Sequence, residues 1–204
     1  MYDGIVDLSH FDEVTDWHAM RAAGIWFVWH KATQGVDFVD PAYRERIFNM
    51  RNIIGKFGSY HFGDTSDGAA QAAHFLANVT TGPFREPLCL DIEENPPSKG
   101  GTMTIAGAEH FVHHVHSATG RWPWIYTNNL FMVKALGGHR NLILANCRYW
   151  ASDYRASAPV PPVATWPKYD LWQYQEKAVV PGVAGGCDRS RFEGTAEELR
   201  GIWK

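Results

Sequence analysis

The chain has 204 residues, which suits one domain with a substantial buried core. Hydrophobic residues make up 45% and charged residues 20%, the ordinary balance of a globular protein. The formal charge is −3 and there is no lysine- or arginine-rich run, so the charge pattern excludes a nucleic-acid-binding surface. No apolar stretch approaches the length of about 18 residues that a membrane span needs, and we expect no membrane insertion.

Short apolar runs alternate with helical patterns along most of the chain. Strands are predicted over residues 4–9, 25–32, 56–62, 87–93 and 124–127. Helices are predicted over residues 17–23, 41–52, 67–79, 104–119 and 130–136, with Asp16 and Asp40 as the N-caps of the first two. Three more strands are expected at residues 149–152, at residues 171–174 and near Asp188. A capping box that starts at Thr195 predicts a last helix.

The alternation of strands and helices predicts a parallel sheet, and about eight strands predict that this sheet closes into a barrel. A chain of 204 residues is short for eight full strand–helix units. The shortage falls at residues 155–167, where prolines exclude a normal helix; they are Pro159, Pro161, Pro162 and Pro167. We therefore predict an α/β fold with a single domain over residues 1–204, a TIM-like (β/α)5(β)3 barrel in which loops join the last three strands.

Two acidic residues end the fourth predicted strand. Because strand side chains alternate between two faces, Cys89, Asp91 and Glu93 are expected to face the barrel interior. Barrel enzymes place their chemistry at this C-terminal end of the strands. Two inward carboxyl groups repel each other, and repulsion with partial burial raises the pKa of one of them, as a proton donor near neutral pH requires. The alternative interpretation is a pair of exposed acids that cap the next helix.

Two further acids are expected at the same end of the barrel. Asp7 ends the first strand and Asp188 lies on the eighth, and these strands are neighbours in a closed barrel. Crowding four acids costs free energy, so stability alone does not explain the arrangement. An acid beside a group that stabilises positive charge is what glycoside hydrolysis requires. For Asp188, a surface turn remains the alternative.

An ordered series of short motifs covers nearly the whole chain. It comprises Asp7-Leu8-Ser9, Asp16-Trp17, Ala23-Gly24-Ile25, Lys31-Ala32-Thr33-Gln34-Gly35, Gly58-Ser59-Tyr60-His61-Phe62, Leu90-Asp91-Ile92-Glu93, Ile125-Tyr126-Thr127, Trp150-Ala151, Trp172-Gln173-Tyr174 and Asp188. Each piece is weak by itself. The ordered series resembles the glycoside hydrolase family 25 lysozymes, the fungal and phage muramidase type.

The resemblance implies cleavage of the β-1,4 bond between N-acetylmuramic acid and N-acetylglucosamine in bacterial peptidoglycan, with no metal and no organic cofactor. It implies Glu93 as the general acid and Asp91 as the residue that orients the substrate's acetamido group or stabilises charge. Asp7 and Asp188 would complete the acidic site. Whether the acetamido oxygen or a water attacks the sugar stays open.

Five more side chains are predicted to contact the substrate. Tyr60 and Tyr126 match positions that line the family's sugar groove, and Phe62 belongs to the same motif as Tyr60. Lys31 ends the second strand, where its charge would balance the acids, unless it is an ordinary surface lysine. For Trp172, sugar stacking and core packing are both open.

The chain departs from the family pattern at two places. The family commonly has Glu where this chain has Gln34, and often a Tyr-Gln or similar pair where it has His10-Phe11. These differences put fine substrate preference in doubt, but not the class of reaction. Two other functions stay open: a catalytically inert wall-binding protein on the same barrel, and a hydrolase of a chitin-like polymer.

The resemblance also implies a setting for the protein. We expect peptidoglycan glycan strands as its partner, a monomer, and action outside the cell on the bacterial wall. We expect no separate wall-binding module and no signal peptide in this chain, which fits phage-type release or a processed secreted form. A metal site at His110, His113 and His114 is conceivable, but a solvated helix face is the preferred interpretation. The odd count of three cysteines indicates no disulfide framework.

Overall fold

The computed structural model describes residues 2–79, 86–155, 157–158 and 165–201. Eight strands of this part close into one barrel: β1 (Tyr2–Leu8), β3 (Phe27–Gln34), β5 (Phe57–Phe62), β6 (Leu88–Ile92), β7 (Trp124–Asn128), β8 (Arg148–Ser152), β9 (Leu171–Ala178) and β11 (Cys187–Phe192). The short strands β2 (Glu13–Val14), β4 (Phe38–Val39) and β10 (Val183–Ala184) lie in the connections. Pairing of β1 with both β3 and β11 closes the barrel.

A helix follows each of the strands β1, β3, β5, β6 and β7. These helices are α1 (Trp17–Ala22), α2 (Tyr43–Asn49), α3 (Gly68–Asn78), α4 (Ile105–Thr119) and α5 (Asn129–Leu136). The last helix, α6 (Ala196–Gly201), follows the eighth barrel strand. The predicted (β/α)5(β)3 architecture is therefore confirmed. Within the described ranges, none of the helices combines the length and the apolarity that crossing a membrane requires.

Local signals set most helix starts where the sequence predicts them. The Asp16 carboxylate accepts from the backbone N–H of His18 and Ala19, and Thr195 and Glu198 form the predicted capping box. α2 differs, because Asp40 Oδ1 accepts from the N–H of Ala42 in a turn that delays the helix by two residues beyond its predicted start at residue 41. A π-helical turn, Met50–Ile54, continues this helix.

The prediction of a parallel sheet is wrong for the eighth barrel strand. Neighbours from β1 through β3, β5, β6, β7 and β8 to β9 pair in parallel, but β11 runs antiparallel to both β9 and β1. Residues 179–186 join β9 to β11 without a helix, and a return to a parallel direction needs a longer crossover. Three glycines at positive φ, Gly182, Gly185 and Gly186, form this turn.

Large aromatic side chains fill the barrel below its C-terminal end. The rings of Trp29 and Trp150 stack with centroids 5.2 Å apart. Trp29 also packs against Gly58, where a Cβ atom would lie 2.4 Å from the indole. The predicted alternation of β6 is confirmed, because Cys89 joins this interior cluster. Its neighbours on the strand pack against the helices; they are Leu88, Leu90 and Ile92. The aromatic side chains and Cys89 fill the barrel interior below the C-terminal ends of the strands.

Candidate active site

An open cavity of about 210 Å³ lies at the C-terminal end of the parallel strands. All four acids predicted for the site line it, together with Lys31, Tyr60, Phe62 and Tyr126. The remaining lining side chains are Ser9, Phe11, Trp150 and Gln173. The structure therefore brings together eight of the nine side chains that the sequence predicts for the site, the exception being Trp172.

The acids reach the cavity from three strands. Asp7 and Asp188 are directly opposite each other on the antiparallel strands β1 and β11. The reversed direction of β11 explains this pairing, because Asp188 is the second residue of its strand and Asp7 is near the end of β1. Asp91 lies on β6 and Glu93 directly follows it, three strands further round the barrel.

The carboxyl groups of Asp91 and Glu93 interact directly. Burial raises the pKa of Asp91 well above its ordinary range, and the charge of Glu93 raises it further. Burial also raises the pKa of Glu93, although a hydrogen bond with Asp91 and the charge of Lys31 oppose the rise. Two interacting acids of this kind lose their protons in two steps that belong to the pair and not to either residue alone.

Asp7 and Asp188 form a second acidic pair. Burial raises the pKa of Asp7 well above its ordinary range, and the charge of Asp188 adds to the rise. Burial raises the pKa of Asp188 as well, against a hydrogen bond from the backbone N–H of Lys177. Like charges directly opposite on paired strands destabilise a sheet, so this pair has a cost in folding stability.

The role of Gln173 was not predicted from the sequence. Its Nε2 donates to Asp7 Oδ1 at 2.9 Å and to Asp188 Oδ2 at 3.4 Å, and its Oε1 accepts from the hydroxyls of Tyr126 at 2.8 Å and Tyr154 at 2.7 Å. Only 1% of the side chain is exposed. Strand alternation, applied to β9 as it was to β6, would have indicated that Gln173 faces the interior.

Lys31 extends from β3 into the cavity and is buried. This position fits the prediction that its charge balances the acids, and not the alternative of an ordinary surface lysine. Its ammonium group donates to Gln34 Oε1 at 2.6 Å and lies 4.7 Å from the centroid of the Phe62 ring. Burial lowers the pKa of Lys31, while the negative charges of Asp91 and Glu93 oppose that shift. Gln34 is therefore a neutral hydrogen-bond partner of Lys31.

The prediction that Trp172 contacts the substrate requires correction. Trp172 packs in the outer core between strands and helices, with its Nε1 donating to the carbonyl of Asp153 at 2.6 Å. Adjacent residues of a strand face opposite sides, so Trp172 points away from the cavity that Gln173 enters. Core packing, the alternative kept open for this residue, describes its position.

The histidines lie outside the cavity. His61 is fully buried between β5 and the helices, where its Nδ1 bonds to Thr33 Oγ1 at 2.8 Å and its Nε2 to Gln71 Oε1 at 3.1 Å. Burial lowers the pKa of His61 to about 4. His110 and His113 are exposed on α4. In the residues described, no group of three or more His, Cys, Asp or Glu side chains is arranged to hold a metal ion. All three cysteines are buried and free.

Comparisons with known proteins identify the family and the fold of the chain. The family described as "Glycosyl hydrolases family 25" matches residues 6–183. The chain is 31% identical to "Lysozyme M1" of Streptomyces globisporus, over 95% of this chain and 69% of that protein. It is 30% identical to "N,O-diacetylmuramidase" of Chalaropsis sp, over 95% of each chain. The fold is similar to the crystal structure of the bacterial lysozyme from Streptomyces coelicolor, with a TM-score of 0.88 and 30% identity, covering 99% of this chain and 96% of that one.

Proposed function

Since the chain belongs to glycosyl hydrolases family 25 and is a glycoside hydrolase, we propose that it cleaves the β-1,4 bond between N-acetylmuramic acid and N-acetylglucosamine, with Glu93 as the general acid. Its substrate is the glycan strand of bacterial peptidoglycan, and it acts on the wall outside the cell. The observation that carries the proposal is the convergence of two acidic pairs, Asp91 with Glu93 and Asp7 with Asp188, on one cavity.

Glu93 supplies the proton that the leaving sugar needs. It is more exposed to the cavity than Asp91, so the proton that the pair shares is delivered from Glu93 to the glycosidic oxygen. As the bond between the anomeric carbon and this oxygen breaks, positive charge develops on the carbon. The neighbouring carboxylates stabilise that charge. Water finally supplies a hydroxyl to the anomeric carbon and returns a proton to the acid pair.

Asp91 has a second role in the proposal, which is to orient the substrate. Its side chain is only 5% exposed, and its Oδ1 has no hydrogen-bond partner in the described part of the chain. A buried carboxylate oxygen without a donor is costly, and the acetamido N–H of an incoming sugar would satisfy it. Tyr60 and Tyr126 line the same cavity and keep their protons, because burial raises the pKa of both phenols.

The test compares Glu93→Gln with Glu94→Gln on purified cell walls. Glu94 is a matched control, since its side chain is 70% exposed and faces away from the cavity beside Lys134. We expect Glu93→Gln to release new reducing ends roughly 10²- to 10⁴-fold more slowly than the unchanged protein, the factor typical of a lost general acid. Glu94→Gln should cleave at the unchanged rate, and both variants should unfold at similar temperatures.

Mass spectrometry of the released products identifies the bond. Fragments ending in N-acetylmuramic acid would support the proposal, whereas equal cleavage of chitin would indicate the chitin-like substrate instead. Wild-type turnover by Glu93→Gln would exclude the assigned acid. Tight binding to the wall without any new reducing ends would favour the inert wall-binding function.

A further inference from the structure

A second open cavity adjoins the acidic one and takes no part in the proposed mechanism. It measures about 580 Å³ and shares Phe11, Lys31 and Phe62 with the catalytic cavity, so the two form a continuous surface. Its remaining lining is largely polar and includes Gln34, Asp37, Asp64, Asn95 and Lys99. A polymer that enters the catalytic cavity must leave it along the protein surface, and this cavity continues in one such direction.

Three neighbouring aromatic rings line the second cavity, and one of them, Phe11, also lines the catalytic cavity. We call His10, Phe11 and Phe38 the aromatic cluster. The ring centroid of His10 lies 4.0 Å from that of Phe11 and 5.8 Å from that of Phe38. Phe11 is 83% exposed and Phe38 is 38% exposed. A ligand that covers an exposed ring beside a concave polar surface removes apolar area from water, and this favours binding.

Hydrogen bonds fix the backbone that presents this cluster. The N–H of His10 and its Nδ1 both donate to the buried Asp40 Oδ2, at 3.0 and 2.8 Å. The N–H of Ser9 donates to Asp12 Oδ2 at 2.7 Å, and Arg46 donates to the carbonyls of Ser9 and Asp12 at 2.9 and 2.7 Å. Because these hydrogen bonds already order the loop, the loop would lose little conformational entropy when a ligand stacks on Phe11.

We propose that the aromatic cluster is an additional sugar-binding subsite, in which a pyranose ring of the glycan strand stacks on Phe11. The stacked ring belongs to a sugar beyond those held in the catalytic cavity, and the polar side chains of the second cavity bond its hydroxyl and acetamido groups. The inference rests on the proposed function, because the sugar in this subsite belongs to the same glycan strand that the catalytic cavity binds. A flat ring beside hydrogen-bonding groups matches the apolar face and polar edge of a pyranose.

The experiment measures how cleavage depends on substrate length. Peptide-free muramyl glycans are used, namely the shortest oligosaccharide that the enzyme cleaves and one that is four sugars longer. Phe11→Ala is compared with Phe48→Ala, whose ring is 70% exposed on α2 and lines neither cavity. We expect Phe11→Ala to lower kcat/KM for the longer glycan roughly three- to tenfold more than it lowers kcat/KM for the shortest one, the factor for one lost aromatic contact. Phe48→Ala should leave both values unchanged.

Each other outcome has a defined meaning. Equal losses on both glycans, or no loss on either, would overturn the subsite. A loss that appears only when stem peptides are attached would assign the cluster to peptide and overturn the sugar assignment. If the unchanged protein cleaves no glycan at all, the proposed function fails, and calorimetric binding of the longer glycan then decides the subsite: weaker binding by Phe11→Ala supports it, and equal binding overturns it.

Discussion

The side-chain amide of Gln173 donates to both carboxylate oxygens of Asp7, at 2.9 Å to Oδ1 and at 3.1 Å to Oδ2. These bonds lower the pKa of Asp7 against the larger opposing effects of burial and the charge of Asp188. The amide oxygen of the same residue accepts from Tyr126. Gln173 therefore orients an acid on β1 and a phenol on β7 at once, and we assign it as a positioning residue of the site.

Replacing Gln173 by Met should change the pH dependence of the enzyme. Met has a similar length but no donor, so the pKa of Asp7 would rise further and its carboxylate would form only at higher pH. We expect the acidic limb of the kcat/KM profile to move to higher pH, with kcat/KM at the optimum lowered roughly tenfold or more. The measurement is a pH–rate profile on solubilised peptidoglycan.

Gln71→Met is the matched control for that variant. Gln71 is fully buried and bonds to His61 and to backbone groups near α3, outside the catalytic cavity. It should lower the unfolding temperature without moving the acidic limb. If the acidic limb of the kcat/KM profile lay at the same pH in Gln173→Met and in the unchanged protein, Gln173 would have only a structural role.

Replacing Asp7 by Asn should stabilise the protein while reducing its activity. Burial and Asp188 raise the pKa of Asp7 in the folded state above the ordinary value of 3.8 that it keeps when unfolded. Its contribution to stability is therefore complete below about pH 3.8 and is lost as the pH rises through the folded pKa. Asn cannot ionise, so the variant avoids this loss, and we expect a gain of about 0.5–2 kcal/mol at neutral pH.

Thermal unfolding from about pH 4 to pH 8 tests this prediction. The difference in Tm between Asp7→Asn and the unchanged protein should grow as the pH rises. Glu94→Gln, which changes an exposed carboxylate, should show no such trend. A constant difference, or a less stable Asp7→Asn at neutral pH, would contradict the assigned electrostatic strain.

Replacing Lys31 by Met should move the alkaline limb of activity. The charge of Lys31 lowers the pKa of both Asp91 and Glu93, so its removal lets both values rise and the shared proton is retained to higher pH. We expect the alkaline limb of kcat/KM to move upward in pH, and the value at the optimum to fall because a cavity side chain is lost. Lys134→Met, at an ammonium that is 82% exposed, should leave the profile unchanged. A downward shift of the limb would refute the assigned charge balance.

Substitutions at Trp172 and Tyr60 should distinguish a residue that stabilises the fold from a residue that contacts the substrate. Trp172→Phe removes the donor to the Asp153 carbonyl and should cost roughly 1–3 kcal/mol of unfolding free energy, with kcat/KM unchanged well below Tm. Tyr60→Phe removes a hydroxyl from the catalytic cavity and should lower kcat/KM with little effect on Tm. Denaturant unfolding and steady-state kinetics on both variants make the comparison. A raised KM in Trp172→Phe at full stability would restore this residue as a sugar contact.

Local patterns were sufficient for much of the fold and for the core of the site. The two-residue alternation of β6 predicts that Asp91 and Glu93 face inward, and the structure agrees. Applied to β9, the same rule places Trp172 and Gln173 on opposite faces of the strand. Phe11 had no such signal, because it lies in a loop where side-chain direction has no period and exposure depends on what surrounds it.

The sequence by itself determined what backbone geometry enforces over a few residues: where helices begin, which strand residues share a face, and that strands alternate with helices. Only the tertiary structure decided the direction of β11, the pairing of Asp7 with Asp188, and the hydrogen bonds of Gln173 to a residue 166 positions away. The physical reason is range. Dihedral preferences and capping bonds act between near neighbours, whereas closure of the barrel brings distant residues together through packing that no local pattern records.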